Sequence, residues 1–100
     1  MYVIEVIQEV QTPDDKTVRY RSRCKTNFIP RLGEWWYDHP AMMGRITSIG
    51  HQLEPSSSEF NFVHQIFLEA NPFPIHNDKF KDFVYDEEKK ELTKLDLTEG

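Results

Sequence analysis

The stretch of sequence that decides the fold is Val18-Arg19-Tyr20-Arg21-Ser22-Arg23-Cys24-Lys25. Basic residues stand at every second position, and apolar or small residues stand between them. A period of two is typical of a β-strand, in which successive side chains point to opposite faces. We therefore predict a strand whose basic face meets solvent and whose other face looks toward a core.

The residues before this strand predict its partner. Residues 2–11 also alternate, and residues 12–16, with one proline and two aspartates, have the composition of a tight turn. Pairing residue 11 with residue 17 brings apolar positions together on one face and opposite charges together on the other, and each facing charge pair contributes about 0.2–1 kcal/mol. The facing pairs in this register are Ile4 with Cys24, Val10 with Val18, Glu5 with Arg23 and Glu9 with Arg19.

A second hairpin is predicted further along the chain. Gly33 permits the positive φ of a tight turn before a short strand at 34–37, and a longer extended run follows over 45–53. A polar loop over 54–59 then leads into a strand over 60–69.

The expected register of this hairpin pairs Leu53 with Phe60. It leaves Val63 and Phe67 on the face away from the core, where we expect the C-terminal segment to cover them.

The C-terminal segment is predicted to be helical from about 78 to 92, with Asn77 as its N-cap. Beyond Asp86 the pattern also fits a strand, because Leu95 and Leu97 alternate. Two prolines flank Phe73, which indicates a turn whose phenyl ring fills the core.

These elements predict a mainly β (α+β) protein. We expect a small antiparallel, barrel-like or sandwich sheet of about five strands with a C-terminal helix. The chain is interpreted as one domain over 1–100, with a β core over 1–70 and a loop and helix over 71–100 that ends in a frayed terminus.

One local motif resembles a known architecture. Pro30-Arg31-Leu32-Gly33-Glu34-Trp35, followed by a strand from Gly44, resembles the turn through which many small SH3-like barrels enter a strand. The resemblance covers about a quarter of the chain, and it implies a fold class and no particular family.

Composition narrows the classes of function. With 100 residues, 38% of them hydrophobic, the chain can form one core. It has no apolar run long enough for a membrane span and no basic-then-apolar leader, so we expect a soluble, cytoplasmic protein without membrane contact. The net charge of -5, concentrated after residue 53, disfavours general nucleic-acid binding.

The first half of the chain contains the candidate partner-binding surface. All five arginines lie there, near a run of large aromatic residues. On an alternating strand one of two adjacent tryptophans must point away from the core, and exposed aromatic side chains commonly anchor protein contacts. The candidate residues are Arg21, Arg23, Lys25, Trp35, Trp36 and Tyr37.

This surface predicts a small non-enzymatic interaction module that binds a protein partner or a second copy of itself. Two alternatives stay open at this point. One is single-stranded nucleic-acid binding along the basic strand, where Arg21 and Lys25 lack acidic partners in the expected register. The other is an acidic inhibitor that offers the carboxylates of residues 78–99 to a basic protein.

Catalytic and metal-binding patterns are weak. In the expected hairpin, His51 and His64 are diagonal neighbours about 7 Å apart between Cα atoms, a distance that permits a shared ion. No third ligand is evident, so we expect no metal and no cofactor. Cys24 and Asp38, with a histidine, supply the residue types of a thiol hydrolase without its local signature, so we expect a core thiol and no enzyme activity.

Overall fold

The computed structural model describes residues 2–55 and 60–95 of the chain. Within these ranges the protein is mostly β-strand, with seven strands and one short helix. The elements are β1 (Tyr2–Gln11), β2 (Thr17–Thr26), β3 (Trp35–His39), β4 (Met42–Pro55), β5 (Phe60–Leu68), α1 (Asn77–Phe80), β6 (Phe83–Asp86) and β7 (Glu91–Lys94).

The strands form one curled sheet in the order β3-β4-β5-β1-β2-β7-β6. The β1–β5 and β2–β7 pairs are parallel and the other four pairs are antiparallel. The expectation of a barrel-like, mainly β protein is therefore confirmed as a half-barrel. The expectations of about five strands and of a C-terminal helix are wrong.

The β1–β2 hairpin has the predicted register at all ten positions. Gln11 pairs with Thr17, and each of the facing pairs expected from the charge pattern is present. Asp15 adopts a positive φ of 72° in the turn, a conformation that aspartate tolerates. Local alternation and local turn chemistry therefore suffice for this part of the fold.

The β4–β5 hairpin forms with a different register. Leu53 pairs with Phe62 instead of Phe60, so His51 lies directly opposite His64 and not diagonal to it. A shift of two residues preserves the two faces, which is why the alternation could not distinguish the registers.

The C-terminal segment extends the sheet instead of forming the predicted helix over 78–92. Asp86 accepts backbone hydrogen bonds from Glu88 and Lys89, and Lys90 has a φ of 54°, so the chain turns there. Leu92 then lies beside Tyr20 and is fully buried. Leu92 reaches this buried position because residues 91–94 form a strand next to β2. Tertiary packing therefore outweighs the helical spacing of apolar residues in the sequence.

The described part of the same segment, up to residue 95, pairs with β2 and not with β5, and Val63 is buried between its strand neighbours Val3 and Gln52. The predicted frayed end over 98–100 lies outside the described residues. So do residues 56–59 of the predicted polar loop.

Strand β3 is longer than the predicted 34–37 segment. It includes Asp38 and His39, and the chain turns at Pro40 before β4 begins at Met42. Gly33 has the predicted positive φ, 84°. The extension of β3 matters for the site, because it places Asp38 on a strand at the sheet edge.

The hydrophobic core lies on the inner face of the curl. The fully buried side chains there include Ile4, Val6, Tyr20, Ile66 and Leu92. No helix within the described ranges has the length and apolar character needed to cross a bilayer.

Candidate functional site

The two ends of the curled sheet meet at Asp38. Strand β3 is the first strand in the sheet order, and β2 and β7 lie near the other end. Asp38 Oδ2 accepts hydrogen bonds from Tyr20 Oη at 2.5 Å and Ser22 Oγ at 2.9 Å, and Oδ1 accepts one from Trp36 Nε1 at 3.1 Å. Lys94 Nζ lies 3.5 Å from Oδ2. We call these five residues the polar seam.

The carboxylate of the polar seam is held in its charged form. Its side chain is only 5% exposed. Burial by itself raises the pKa of Asp38, but the hydrogen bonds from Tyr20, Trp36 and Ser22 and the charge of Lys94 outweigh it, so the pKa lies below its ordinary value. Burial and the same carboxylate raise the pKa of the Tyr20 hydroxyl, which therefore stays a donor.

A second contact closes the sheet beside the polar seam. His39 Nε2 lies 3.1 Å from Asp82 Oδ2, and its ring packs edge-on against Phe83 with centroids 4.6 Å apart. Its Nδ1 accepts a hydrogen bond from the Ala41 backbone N–H, which fixes the ring. This histidine is therefore a structural residue of the closure.

The basic face of β2 is compensated by carboxylates. Arg23 lies 3.0 Å from Glu5 and 2.9 Å from Glu54. The expectation that Arg21 lacks an acidic partner is wrong, because it lies 3.4 Å from both Glu5 and Glu91. Sequence pairing missed Glu91 because β7 was expected to be part of a helix.

Glu5 is the centre of this ion-pair network. Its side chain is 3% exposed, and Gln65 Nε2 donates a hydrogen bond to it at 2.7 Å. Burial raises the pKa of Glu5, but the hydrogen bonds from Gln65 and Arg23 and the charges of Arg21 and Arg23 outweigh it, so the net shift is downward. Lys25 is exposed and makes no ion pair within the described ranges.

Acid is expected to destabilise the protein through Glu5 and Asp38. Their pKa values in the folded state lie below the ordinary 4.5 and 3.8, so the unfolded chain binds protons first as the pH falls. Their stabilising contribution is therefore complete above about pH 5 and is lost as the pH falls through the folded-state values.

Urea unfolding from neutral pH to about pH 3 measures the slope of the free energy of unfolding against pH. This slope should be smaller in the Asp38→Asn variant than in the unaltered protein. An unchanged slope in Asp38→Asn would show that the carboxylate of the polar seam does not contribute.

The aromatic residues of β3 are divided between the two faces of the sheet. Trp35 and Tyr37 point outward and are 56% and 61% exposed, whereas Trp36 turns inward to Asp38 and packs against the core. Trp35 and Tyr37 lie on the outer side of β3, which is four positions from β2 in the sheet order. Of the predicted aromatic residues, Trp36 is the one that reaches the closure between β3 and β2, through its bond to Asp38.

An apolar cleft of about 600 Å³ lies beside Trp35. Phe73 is 72% exposed at this cleft, so the expectation that its ring fills the core is wrong. The prolines on both sides of Phe73 have no backbone N–H to donate to a neighbouring strand, so this segment cannot be a central strand of the sheet. The flanking prolines were the signal in the sequence that Phe73 could be exposed. The lining residues are Trp35, Pro40, Ala41, Met43, Glu69, Ala70, Asn71, Pro72, Phe73, Pro74, Ile75, His76 and Lys79.

Hydrogen bonds anchor the proline-rich wall of the cleft on both sides of Phe73. The Asn71 backbone N–H donates to the Glu9 carbonyl at 3.0 Å, and its side chain donates to the Ala41 carbonyl at 3.0 Å. The Ile75 N–H donates to the Gln11 carbonyl at 2.9 Å. The exposed ring of Phe73 is therefore presented by a segment fixed to β1.

The predicted histidine pair is in direct contact. His51 Nδ1 and His64 Nδ1 are 2.6 Å apart, and the ring centroids are 4.8 Å apart. Burial and the neighbouring His51 lower the pKa of His64, which favours its neutral form. No group of three or more His, Cys, Asp or Glu side chains within the described part of the chain is arranged to hold a metal ion.

Cys24 lacks the surroundings of a catalytic thiol. Burial and the charge of Asp38 raise the pKa of its thiol, and no hydrogen bond joins it to a histidine among the described residues. The protonated thiol is a poor nucleophile at neutral pH.

A comparison of the chain with known protein families, with curated proteins and with solved structures found no match.

Proposed function

We propose that this protein is a small non-enzymatic binding module that holds a protein partner, or a second copy of itself, at the cleft between β3 and residues 70–76. The observation that carries the proposal is the exposure of Trp35 and Phe73 at one apolar cleft, with Tyr37 exposed two residues further along the same face of β3. We call this surface the aromatic cleft. Contiguous exposed apolar surface of this kind is typical of interaction sites.

The construction of the aromatic cleft supports this function. Tryptophan and tyrosine provide large contact areas with few rotatable bonds. Because Trp35 stands on a paired strand and the Phe73 segment is fixed to β1, little backbone ordering is needed on binding. The turn at 30–34 resembles that of SH3-like barrels, and it leads into the strand that contains Trp35.

The proposed surface differs from the one that the sequence predicted. Trp35 and Tyr37 stay in it, Phe73 joins it, and Trp36 leaves it because its indole N–H is bonded to Asp38. Arg21 and Arg23 also leave it, since both are paired with carboxylates.

The two alternative functions have less support. Phosphate binding along β2 would compete with Glu5, Glu54 and Glu91 for Arg21 and Arg23. An acidic inhibitor would use the carboxylates of the C-terminal segment, of which Asp82 contacts His39 and Asp86 caps its own turn, whereas Asp78, Glu87 and Glu88 are exposed.

The double variant Trp35→Ala/Phe73→Ala is expected to lose binding while keeping its fold. Both side chains are more than half exposed, so their removal leaves the core intact. Sedimentation equilibrium measures self-association, and affinity purification with the full chain as bait measures retention of a partner. Val84→Ala, an exposed apolar position on β6 at the opposite sheet edge, is the matched control.

Association that persists in the double variant and has an unchanged circular dichroism spectrum would contradict the proposal. So would equal losses in the double variant and in Val84→Ala.

A further inference from the structure

His51 and His64 form a pre-arranged pair of imidazoles on the neighbouring strands β4 and β5. They are directly opposite residues of antiparallel strands, so the backbone holds their Cβ atoms about 4.5–5.5 Å apart. Their rings stand at 80° to each other with the two Nδ1 atoms facing. Two nitrogens at 2.6 Å can form a hydrogen bond only if one carries a proton and the other offers its lone pair.

Aromatic neighbours hold the buried member of the pair. The ring of Tyr2 meets His64 edge-on at 5.6 Å, and the ring of Phe62 lies nearly parallel to it at 6.4 Å. His51 is exposed, so water reaches the outer side of the pair. One imidazole is thus fixed while the other is free to make a small adjustment.

From this geometry we propose that His51 and His64 are the two protein ligands of a site for a divalent transition-metal ion with a preference for square-planar coordination, Cu(II) or Ni(II). The ion replaces the proton between the two Nδ1 atoms. The ring that donated the hydrogen bond changes tautomer, its proton passing from Nδ1 to Nε2 through solvent, so that both neutral rings direct an Nδ1 lone pair to the metal. Water completes the coordination.

The separation of the nitrogens distinguishes between classes of metal. With bonds of about 2.0 Å, two cis ligands of a square-planar ion are about 2.8 Å apart, and two ligands of a tetrahedral ion are about 3.3 Å apart. The observed 2.6 Å is a hydrogen-bond contact, so the two nitrogens must move apart to bind either ion, and they move less for the square-planar one. Imidazole nitrogen also binds Cu(II) more strongly than Zn(II). We therefore expect Cu(II) to bind more tightly than Zn(II).

Calorimetric titration of the protein tests the site. Cu(II), Ni(II) and Zn(II) are each added in a non-chelating buffer, and the affinity and the number of ions bound per chain are measured. We expect one Cu(II) per chain, with nitrogen hyperfine splitting from two imidazoles in the electron paramagnetic resonance spectrum. His51→Gln and His64→Gln should each abolish this signal. The double variant measures the background from the chain terminus and other groups.

His76→Gln is the matched control, because His76 is exposed and lies outside the pair. Its Cu(II) affinity and spectrum should equal those of the unaltered protein. The site is overturned if the double variant binds Cu(II) as tightly as the unaltered protein or if His76→Gln removes the signal. Because His51 is exposed, His51→Gln keeps the test decisive even if His64→Gln unfolds.

Discussion

Replacing Asp38 with alanine is expected to lower the free energy of unfolding by about 3 kcal/mol, because several donors lose their acceptor in a buried site. Tyr20, Ser22 and Trp36 donate to this carboxylate from two different strands. Without it, the tyrosine hydroxyl loses its carboxylate acceptor in the core. The contribution of Lys94 is small, since its side chain is 41% exposed and water can solvate it.

Removal of the Asp38 carboxylate also weakens the contact between the two ends of the sheet. The sheet order places β3 at one edge and β7 next to the other, so Asp38 joins ends of the sheet that share no backbone ladder. We therefore expect the Asp38→Ala variant to show faster hydrogen exchange in β3, and urea unfolding to give its stability.

Asp78→Ala is the control for this variant, because Asp78 is an exposed aspartate in α1. It should change stability by no more than about 0.5 kcal/mol. A loss below about 1 kcal/mol in Asp38→Ala would contradict the role of the polar seam.

The variant Glu5→Gln should lose about 2 kcal/mol, since a buried carboxylate that accepts charged hydrogen bonds is replaced by a neutral amide. The new amide keeps the volume but turns an N–H group toward the donor of either Gln65 or Arg23, which bond different oxygens of Glu5. The exposed parts of Arg21 and Arg23 can still be hydrated, which keeps the loss below that of Asp38→Ala.

Glu9→Gln is the matched control for Glu5→Gln. Glu9 is on the same face of the same strand and also stands opposite an arginine, Arg19, but it is exposed. Its replacement should cost no more than about 0.5 kcal/mol. Equal losses in the two variants, measured by urea unfolding, would show that burial of Glu5 is not the cause.

The candidate site was only partly predictable. The sequence separated Trp35 and Tyr37 from Trp36 by alternation but did not decide which of the two sets is exposed. It missed Phe73, whose exposure depends on where β1 and β4 hold the proline-rich segment. It identified His51 and His64 but not their direct contact, which depends on a two-residue register shift.

The sequence by itself determined the β1–β2 hairpin, its register and the division of its faces. These follow from interactions between residues that are close along the chain, namely alternation, turn residues and facing charges. Tertiary structure alone decided the parallel neighbours of β1 and β2, the strand β7 and the partners of Arg21. Beyond Asp86 the spacing fits both a helix and a strand, and the burial of Leu92 beside Tyr20 selects the strand. That burial requires a neighbour more than 70 residues away, so no local pattern contains it.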